Sequence, residues 1–231
     1  MTREVARRAK KHEPAVELET KLAPSQERAR ATFELILSVT GELLSEVGVE
    51  RLSTNMICER AGITPPALYR YFPNKYAILR EIGRRLMEAE DALVFDWLNQ
   101  GRVSVEGPLE DVVRQRAELL TRVRAVASSQ PGGLWIQRAM GALPVLREVR
   151  AESVRMVAGA AFAQLEESYP NASKERLHVA TLLTTVLSSA ANEMIIDEPE
   201  LERQITDEMA RMTILYYRDL LSVGDDDDSK R

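Results

Sequence analysis

The stretch that decides the fold runs from residue 52 to residue 76 and reads LSTNMICERAGITPPALYRYFPNKY. Its pattern predicts two short helices joined by a tight turn at Gly62, because glycine adopts positive φ angles at little cost. Thr64 suits the N-cap of the second helix, and Pro65 suits the first helical position, where a missing N–H is harmless. This arrangement is typical of a helix-turn-helix, whose second helix reads the major groove of DNA with its N-terminal residues.

Ten residues in and beside this stretch match, in order and spacing, the N-terminal domain of one family of bacterial transcription regulators. They are Ile57, Ala61, Gly62, Ile63, Leu68, Tyr69, Tyr71, Phe72, Lys75 and Leu79. From Arg28 to Leu79 the chain therefore resembles the TetR (tetracycline-repressor-like) family. The resemblance implies a dimer with two DNA-reading helices, whose separation changes when a small molecule binds in the body. The Pro65-Pro66 pair departs from the polar or small residues that the family usually has there.

The resemblance also implies which side chains contact DNA. Tyr69 and Lys75 are phosphate contacts in the family, and such contacts position a protein on DNA without reading its sequence. Asn55 lies where the family often reaches a base, and asparagine pairs well with adenine. Thr54 either donates to a phosphate or caps its helix, and Arg70 either reaches DNA or pairs with Glu59. The full predicted set is Arg28, Arg30, Thr54, Asn55, Thr64, Pro65, Pro66, Ala67, Tyr69, Arg70, Tyr71 and Lys75.

Composition narrows the class of protein. The chain has 231 residues, of which 45% are hydrophobic, 29% charged and 5% aromatic, a soluble-globular balance that argues against an all-β fold. The single cysteine, Cys58, excludes an intramolecular disulfide and a cysteine-based zinc cluster. No apolar run reaches the roughly 18 residues of a membrane span, and the polar N-terminus does not resemble a secretory signal. These features predict a cytoplasmic protein with no membrane partner.

Apolar residues recur at three- and four-residue steps along most of the chain, which predicts helices nearly throughout. The predicted fold class is all-α, with an N-terminal three-helix helix-turn-helix domain followed by a larger helical ligand-binding and dimerisation domain. The predicted boundaries are a flexible N-terminal arm at 1–24, the helix-turn-helix domain at 25–75, the body at 76–222 and an acidic disordered tail at 223–231. The basic residues of the arm either follow a minor groove or have no role on DNA.

Charge is unevenly distributed along the chain. Residues 51–85 carry seven basic and two acidic side chains, whereas residues 91–231 carry 16 basic and 23 acidic ones. A basic block on an otherwise acidic chain indicates one face for a polyanion, although charged faces are often merely solvated. The predicted partner for that face is a double-stranded DNA operator.

The last two helices, at about 174–221, are the candidates for a homodimer interface. One stripe on them consists of Leu177, Thr181, Thr184, Ser188, Ala191 and Ile195. A second stripe consists of Leu201, Ile205, Met209, Met212 and Tyr216. Such faces can pack against the same pair in a second subunit as a four-helix bundle. Both stripes are equally compatible with the core of the monomer.

The body also carries signs of a pocket for an unknown small-molecule effector. Arg116 interrupts an apolar helical stripe, where a charge is costly unless it is paired, reaches the surface or meets a ligand. Ser153 lies similarly on an apolar side. The predicted ligand-binding set is Trp97, Arg116, Leu120, Trp135, Arg138, Met140, Ser153, Met156 and Phe162. Each aromatic or methionine residue in that set could instead be ordinary core packing.

Nothing in the sequence indicates catalysis, a metal site or a cofactor. The two histidines, His12 and His178, are far apart, and the HExxH, Walker A and GxSxG motifs are absent. Cys58 is interpreted as a small core residue. The predicted function is therefore a sequence-specific DNA-binding transcriptional regulator, a repressor that a small molecule releases from its operator. The alternatives are a helical protein-binding adaptor without operator binding, or a transcriptional activator.

Overall fold

The computed structural model describes residues 17–21 and 27–222, and the elements within those residues are helices. They are α1 Glu27–Arg51, α2 Thr54–Ala61, α3 Pro65–Tyr69, α4 Lys75–Asn99, α5 Leu109–Ser129, α6 Gly133–Ala142, α7 Pro144–Ser168, α8 Lys174–Asp197 and α9 Glu202–Ser222. A short 3₁₀ turn, Pro199–Leu201, precedes α9. The prediction of an all-α fold is confirmed.

The helix-turn-helix is formed by α2 and α3, which pack on α1. Gly62 ends α2 in the left-handed region with φ 63°, and its N–H donates to the carbonyl of Glu59 at 3.3 Å. Ser53 caps the start of α2 by accepting from the N–H of Met56. The pair is held on α1 by fully buried side chains, and the rings of Phe33 and Phe72 stack with their centroids 4.8 Å apart.

The start of α3 differs from the expectation in one respect. Thr64 occupies the N-cap position, but its side chain makes no capping hydrogen bond. An N-cap oxygen normally accepts from the second or third helical N–H. Here Pro66 has no N–H, and the N–H of Ala67 already donates to the Thr64 carbonyl at 2.9 Å. The Thr64 hydroxyl is therefore left facing solvent at the end of α3 that enters DNA in a helix-turn-helix.

Residues 17–21 of the predicted flexible arm are hydrogen-bonded to the helix-turn-helix domain. The N–H of Lys21 donates to the Tyr71 carbonyl at 2.9 Å. The Asn74 amide donates to the Glu17 carbonyl at 2.8 Å, while its oxygen caps α4. The prediction of a flexible arm is therefore corrected for residues 17–21. The rest of that arm, at 1–16 and 22–24, and the predicted acidic tail at 223–231 lie outside the described residues.

Helix α4 connects the helix-turn-helix domain to the body. Its first two turns contribute Ile78 and Leu79 to the core beneath α2 and α3, and its last turns reach Trp97. That first core continues into the body through Ile136 of α6 and Leu146 of α7. The packing is therefore continuous across the predicted boundary between residues 75 and 76.

Helix α8 is apolar on two sides. Its inner side buries Leu177, Ala180 and Ile195 against the rest of the body. Its outer side exposes Leu183 and Leu187, along with further apolar residues. As a result, the length and composition of α8 alone would be compatible with a helix that crosses a membrane. Core helices of soluble proteins can have a similar length and composition, so this feature does not indicate a membrane span by itself.

Candidate DNA interface and effector cavity

The exposed side of α3 carries most of the predicted DNA contacts. Pro65, Pro66 and Arg70 are exposed there, and the ring of Tyr69 is 42% exposed although it is large and aromatic. The Tyr69 hydroxyl lies 3.0 Å from the Thr54 hydroxyl, so the two groups form one polar pair across α2 and α3. Because Ser53 is the N-cap of α2, Thr54 does not need to cap that helix and can serve this pair.

Other predicted contacts flank α3. Asn55, Arg28 and Arg30 are exposed, and Ala67 is half-buried. The guanidinium of Arg70 lies over the Tyr71 ring at 5.9 Å. Among the described residues Arg70 makes no ion pair, so the expected alternative of pairing with Glu59 is not realised.

The Lys75 side chain forms hydrogen bonds within the helix-turn-helix domain. Its ammonium donates to the carbonyls of Val49 and Leu52, at 3.0 and 2.9 Å. These bonds tie the start of α4 to the connection between α1 and α2. An ammonium has three donors, so one remains for a phosphate. Lys75 thus fixes the shape of the helix-turn-helix domain whether or not it touches DNA.

Two expectations about this face need correction. Tyr71 was predicted to contact DNA, but it is 5% exposed and its ring packs edge-on against Phe33 at 6.0 Å. It lies two residues beyond Tyr69, the last residue of α3, and therefore on the opposite side of that turn. The basic character of residues 51–85 is also partly neutralised. Three of its arginines pair with carboxylates: Arg60 with Glu46, Arg84 with Glu81, and Arg85 with Glu34.

The body encloses a cavity of about 130 Å³ lined by residues from α4 to α9. At one end lie two neighbouring acids of α4. Glu90 accepts from the Gln137 amide at 2.8 Å, and Asp91 accepts from the Ser153 hydroxyl at 2.7 Å. Burial raises the pKa of Glu90 to about 7 and raises the pKa of Asp91 as well. These carboxyls are therefore held in a setting that disfavours their charge.

The opposite end of the cavity is cationic. The guanidinium of Arg116 lies over the Trp97 ring at 5.6 Å. Burial lowers the pKa of Arg116, and the Tyr217 hydroxyl is the one titratable neighbour that opposes this effect. The Tyr217 hydroxyl forms a hydrogen bond with the Thr184 hydroxyl, and the two oxygens are 2.9 Å apart. Arg116 is half-buried, but its Nε is buried without a hydrogen-bond partner, which makes this end of the cavity unusual.

Comparison with known proteins agrees with the geometry of the N-terminal domain. A profile described as "Bacterial regulatory proteins, tetR family" matches residues 36–82. The tetracycline repressor protein of class C from Escherichia coli is 39% identical over 54 residues, which cover 23% of this chain and 25% of that protein. The class A repressor from transposon 1721, also from Escherichia coli, is 44% identical over 46 residues, covering 20% and 21%.

Solved structures extend the similarity to the body. A TetR-family transcriptional regulator from Streptomyces coelicolor superposes with a TM-score of 0.56 at 18% identity, covering 84% of this chain and 82% of that one. A TetR-type structure from Syntrophomonas wolfei gives 0.60 at 14% identity, covering 84% and 96%. Residues 36–82 thus match the TetR family, and the chain as a whole shares the fold of TetR-family regulators. The sequence match spans no more than a quarter of the two repressors, and the structural likeness shows a shared fold.

Five of the nine residues predicted for the pocket of this protein line the cavity. They are Trp97, Arg116, Leu120, Met140 and Ser153. The other four lie elsewhere, and the prediction is corrected for them. Trp135 and Met156 are exposed, and Arg138 pairs with Asp197 at 2.6 Å on the surface. Phe162 packs against a buried apolar cluster that includes Leu165, Leu177 and Met209, and it meets His178 edge-on at 5.5 Å.

Sequence reasoning missed the acidic end of the cavity. Glu90 lies four residues after Leu86 and seven before Trp97, so it interrupts an apolar stripe of α4 as Arg116 interrupts one of α5. The same signal would have found it. Cys58, by contrast, is buried as expected, and burial raises the pKa of its thiol, which makes the thiolate scarce.

Proposed function

We propose that this protein is a cytoplasmic, sequence-specific DNA-binding regulator, and that a small molecule in the cavity lowers its affinity for its operator. The observation that carries the proposal is the course of α4. One end of that helix is packed beneath α2 and α3, and its other end carries Glu90 and Trp97 into the cavity. A ligand that moves the far end of a rigid helix displaces the near end too, which is a known route for coupling two sites.

The proposal includes a homodimer through α8 and α9, because a second copy supplies the second DNA-reading helix. These two helices carry eight of the exposed large apolar residues: Val179, Leu183, Val186, Leu187, Met194, Met212, Leu215 and Tyr216. So many exposed apolar side chains on two neighbouring helices are typical of a protein–protein interface. The stripe predicted on α8 from sequence is instead largely monomer core, since Leu177, Thr181, Thr184, Ala191 and Ile195 are buried.

The test is binding of the purified protein to labelled DNA from upstream of its own gene. We expect the affinity to exceed that for unrelated DNA and to fall steeply with salt. Arg70→Ala and Tyr69→Phe should each weaken binding roughly tenfold or more, because each removes a hydrogen bond to a charged group. Arg70→Ala should also reduce the slope of the salt dependence by about one.

Arg155→Ala is the matched control, since Arg155 is an exposed arginine on α7. It should leave DNA binding unchanged. Lys75 is a poorer probe, because its loss also removes two hydrogen bonds within the domain. Equal binding to every DNA, insensitive to both substitutions on α3, would refute the role of this face at that site. Fragments selected from the whole genome would then separate a distant operator from an adaptor without one.

A further inference from the structure

Four residues that line the cavity each carry one buried polar atom without a hydrogen-bond partner. The atoms are Asp91 Oδ2, Gln137 Oε1, Trp97 Nε1 and Arg116 Nε. Asp91, Gln137 and Trp97 are each more than nine-tenths buried. A buried polar atom without a partner costs free energy, and each one in a folded protein calls for an explanation. Their grouping around one cavity indicates a ligand that supplies the missing partners.

The acidic end is rich in hydrogen-bond acceptors. The Gln137 amide N–H already donates to Glu90, and the Ser153 hydroxyl donates to Asp91. Arg150 faces this end from α7, but its guanidinium forms an ion pair with Glu193 of α8. The carboxyls of Glu90, Asp91 and Glu193 therefore share a single guanidinium, that of Arg150. A group that binds here must donate hydrogen bonds and carry positive charge. Clusters of three or more metal-ligating side chains are absent from the described residues, so an organic ammonium fits better than a metal ion.

The other end is rich in hydrogen-bond donors. Arg116 Nε and Trp97 Nε1 both lack a partner, and the nearby Tyr217 hydroxyl is engaged by Thr184. No carboxylate among the described residues forms an ion pair with Arg116. The guanidinium is a planar set of donors that matches a carboxylate well. A ligand carboxylate would therefore supply both the acceptors and the missing countercharge.

The distance between the two ends follows from α4 itself. Glu90 and Trp97 are seven residues apart and share one face of the helix, which separates them by about 10 Å along its axis. Between them the walls are apolar, with Leu119, Leu120 and Val123 of α5 among the lining residues. A volume of about 130 Å³ spread over that length makes the cavity narrow. Its contents must therefore be slender.

We propose that the cavity binds a slender amphoteric molecule, with an ammonium group at Glu90 and Asp91, a carboxylate at Arg116 and Trp97, and an apolar spacer between them. Such a ligand brings no net charge into the body, and its ammonium group favours the ionised form of Glu90 and Asp91, which burial alone disfavours. Its role as the effector rests on the proposed function, whereas its binding does not.

The probe is 8-aminooctanoate, whose extended chain matches the separation of the two ends. Octylamine and octanoate, each lacking one charged group, are the comparison compounds. Binding is measured by titration calorimetry on the full chain without DNA. We expect 8-aminooctanoate to bind at least about tenfold more tightly than either comparison compound, because each of those leaves one end of the cavity unpaired.

Two variants test the two ends separately. Asp91→Asn keeps an acceptor for Ser153 and should weaken octylamine and 8-aminooctanoate at least about tenfold, leaving octanoate unchanged. Arg116→Met keeps the length and the apolar stem and should weaken octanoate and 8-aminooctanoate, leaving octylamine unchanged. Glu148→Gln and Arg155→Met, at exposed positions of α7, should alter none of the three affinities.

This crossed pattern is the result that supports the proposal. Equal binding of octylamine and octanoate to the wild type and both variants would mean a merely apolar cavity and would overturn it. Failure of all three compounds to bind at millimolar concentration would overturn it too. Because no DNA is present, loss of operator binding cannot affect the outcome. Conversely, binding of 8-aminooctanoate without any effect on DNA affinity would count against the proposed function and not against this site.

Discussion

At the scale of single residues, Glu90 makes stability depend on pH. Its pKa rises from an ordinary 4.5 to about 7 on folding, mainly because the carboxyl is desolvated. Between those values the folded chain binds more protons than the unfolded chain, so the free energy of unfolding falls as pH rises. The free energy of unfolding falls by roughly 3 kcal/mol in total, and this decrease is complete above about pH 7. Raising the pH from 5 to 8 should therefore lower the denaturation midpoint.

Glu90→Gln should remove most of this slope, because glutamine keeps an acceptor for Gln137 and has no proton to lose. Denaturant unfolding of both proteins at several pH values measures the difference. Asp91, whose pKa is also raised, leaves a smaller slope of the same sign in the variant. Glu148→Gln, at an exposed position, should retain the slope of the wild type. Identical slopes in the wild type and Glu90→Gln would show that Glu90 is ionised in the fold.

Sequence could predict single residues where a local rule determines them. Gly62 marks the turn because few other residues adopt its left-handed conformation. Arg116 was found because a charge interrupts an apolar stripe. Tyr69 and Tyr71 show that a family resemblance has to be checked against such rules. They are two residues apart, about 200° around a helical turn, so when Tyr69 is exposed Tyr71 is buried.

At the scale of elements, the approach of α1 to the α5–α6 connection depends on Gly41. A β-carbon at this position would clash with the carbonyl oxygen of Pro131, which is part of the backbone and cannot rotate away. Gly41→Ala should therefore destabilise the fold by about 1–3 kcal/mol, as overpacking usually does. Gly159→Ala is the matched control, since a β-carbon on this exposed glycine of α7 would meet nothing within 4 Å.

The control should change stability in the opposite direction, by about 0.5–1 kcal/mol, because alanine is the better helix former. Urea unfolding of the two variants and the wild type gives both values. A neutral Gly41→Ala would mean that the α5–α6 connection can shift to admit a β-carbon, so that the close approach does not require glycine.

Elements that depend on tertiary contacts were harder to predict. Apolar periodicity located α8, but the stripe assigned to the dimer from sequence faces the monomer core. Both sides of α8 are apolar, so spacing alone could not tell the inner side from the outer one. The cavity could not be predicted for a similar reason. It exists where six helices fail to fill the space between them, and no single helix carries that information in its sequence.

At the scale of the whole molecule, the outer face of α8 and α9 should hold two copies together. Leu187, which is 47% exposed, lies on that face beside Leu183 and Val186. We expect the wild type to be a dimer at micromolar concentration and Leu187→Glu to be a monomer. Burying an unpaired carboxylate in an apolar interface should raise the dissociation constant by two orders of magnitude or more, or about 3 kcal/mol. Light scattering coupled to size exclusion measures the mass.

Met156→Glu tests whether the effect is specific to this face. Met156 is as exposed as Leu187, at 48%, but it lies on α7. A glutamate there should leave both the mass and the operator affinity unchanged. Leu187→Glu should lose affinity for DNA with two half-sites, because each subunit then binds a single half-site and the gain from binding two at once disappears. A dimeric Leu187→Glu protein, or a monomeric Met156→Glu protein, would place the interface elsewhere on the body.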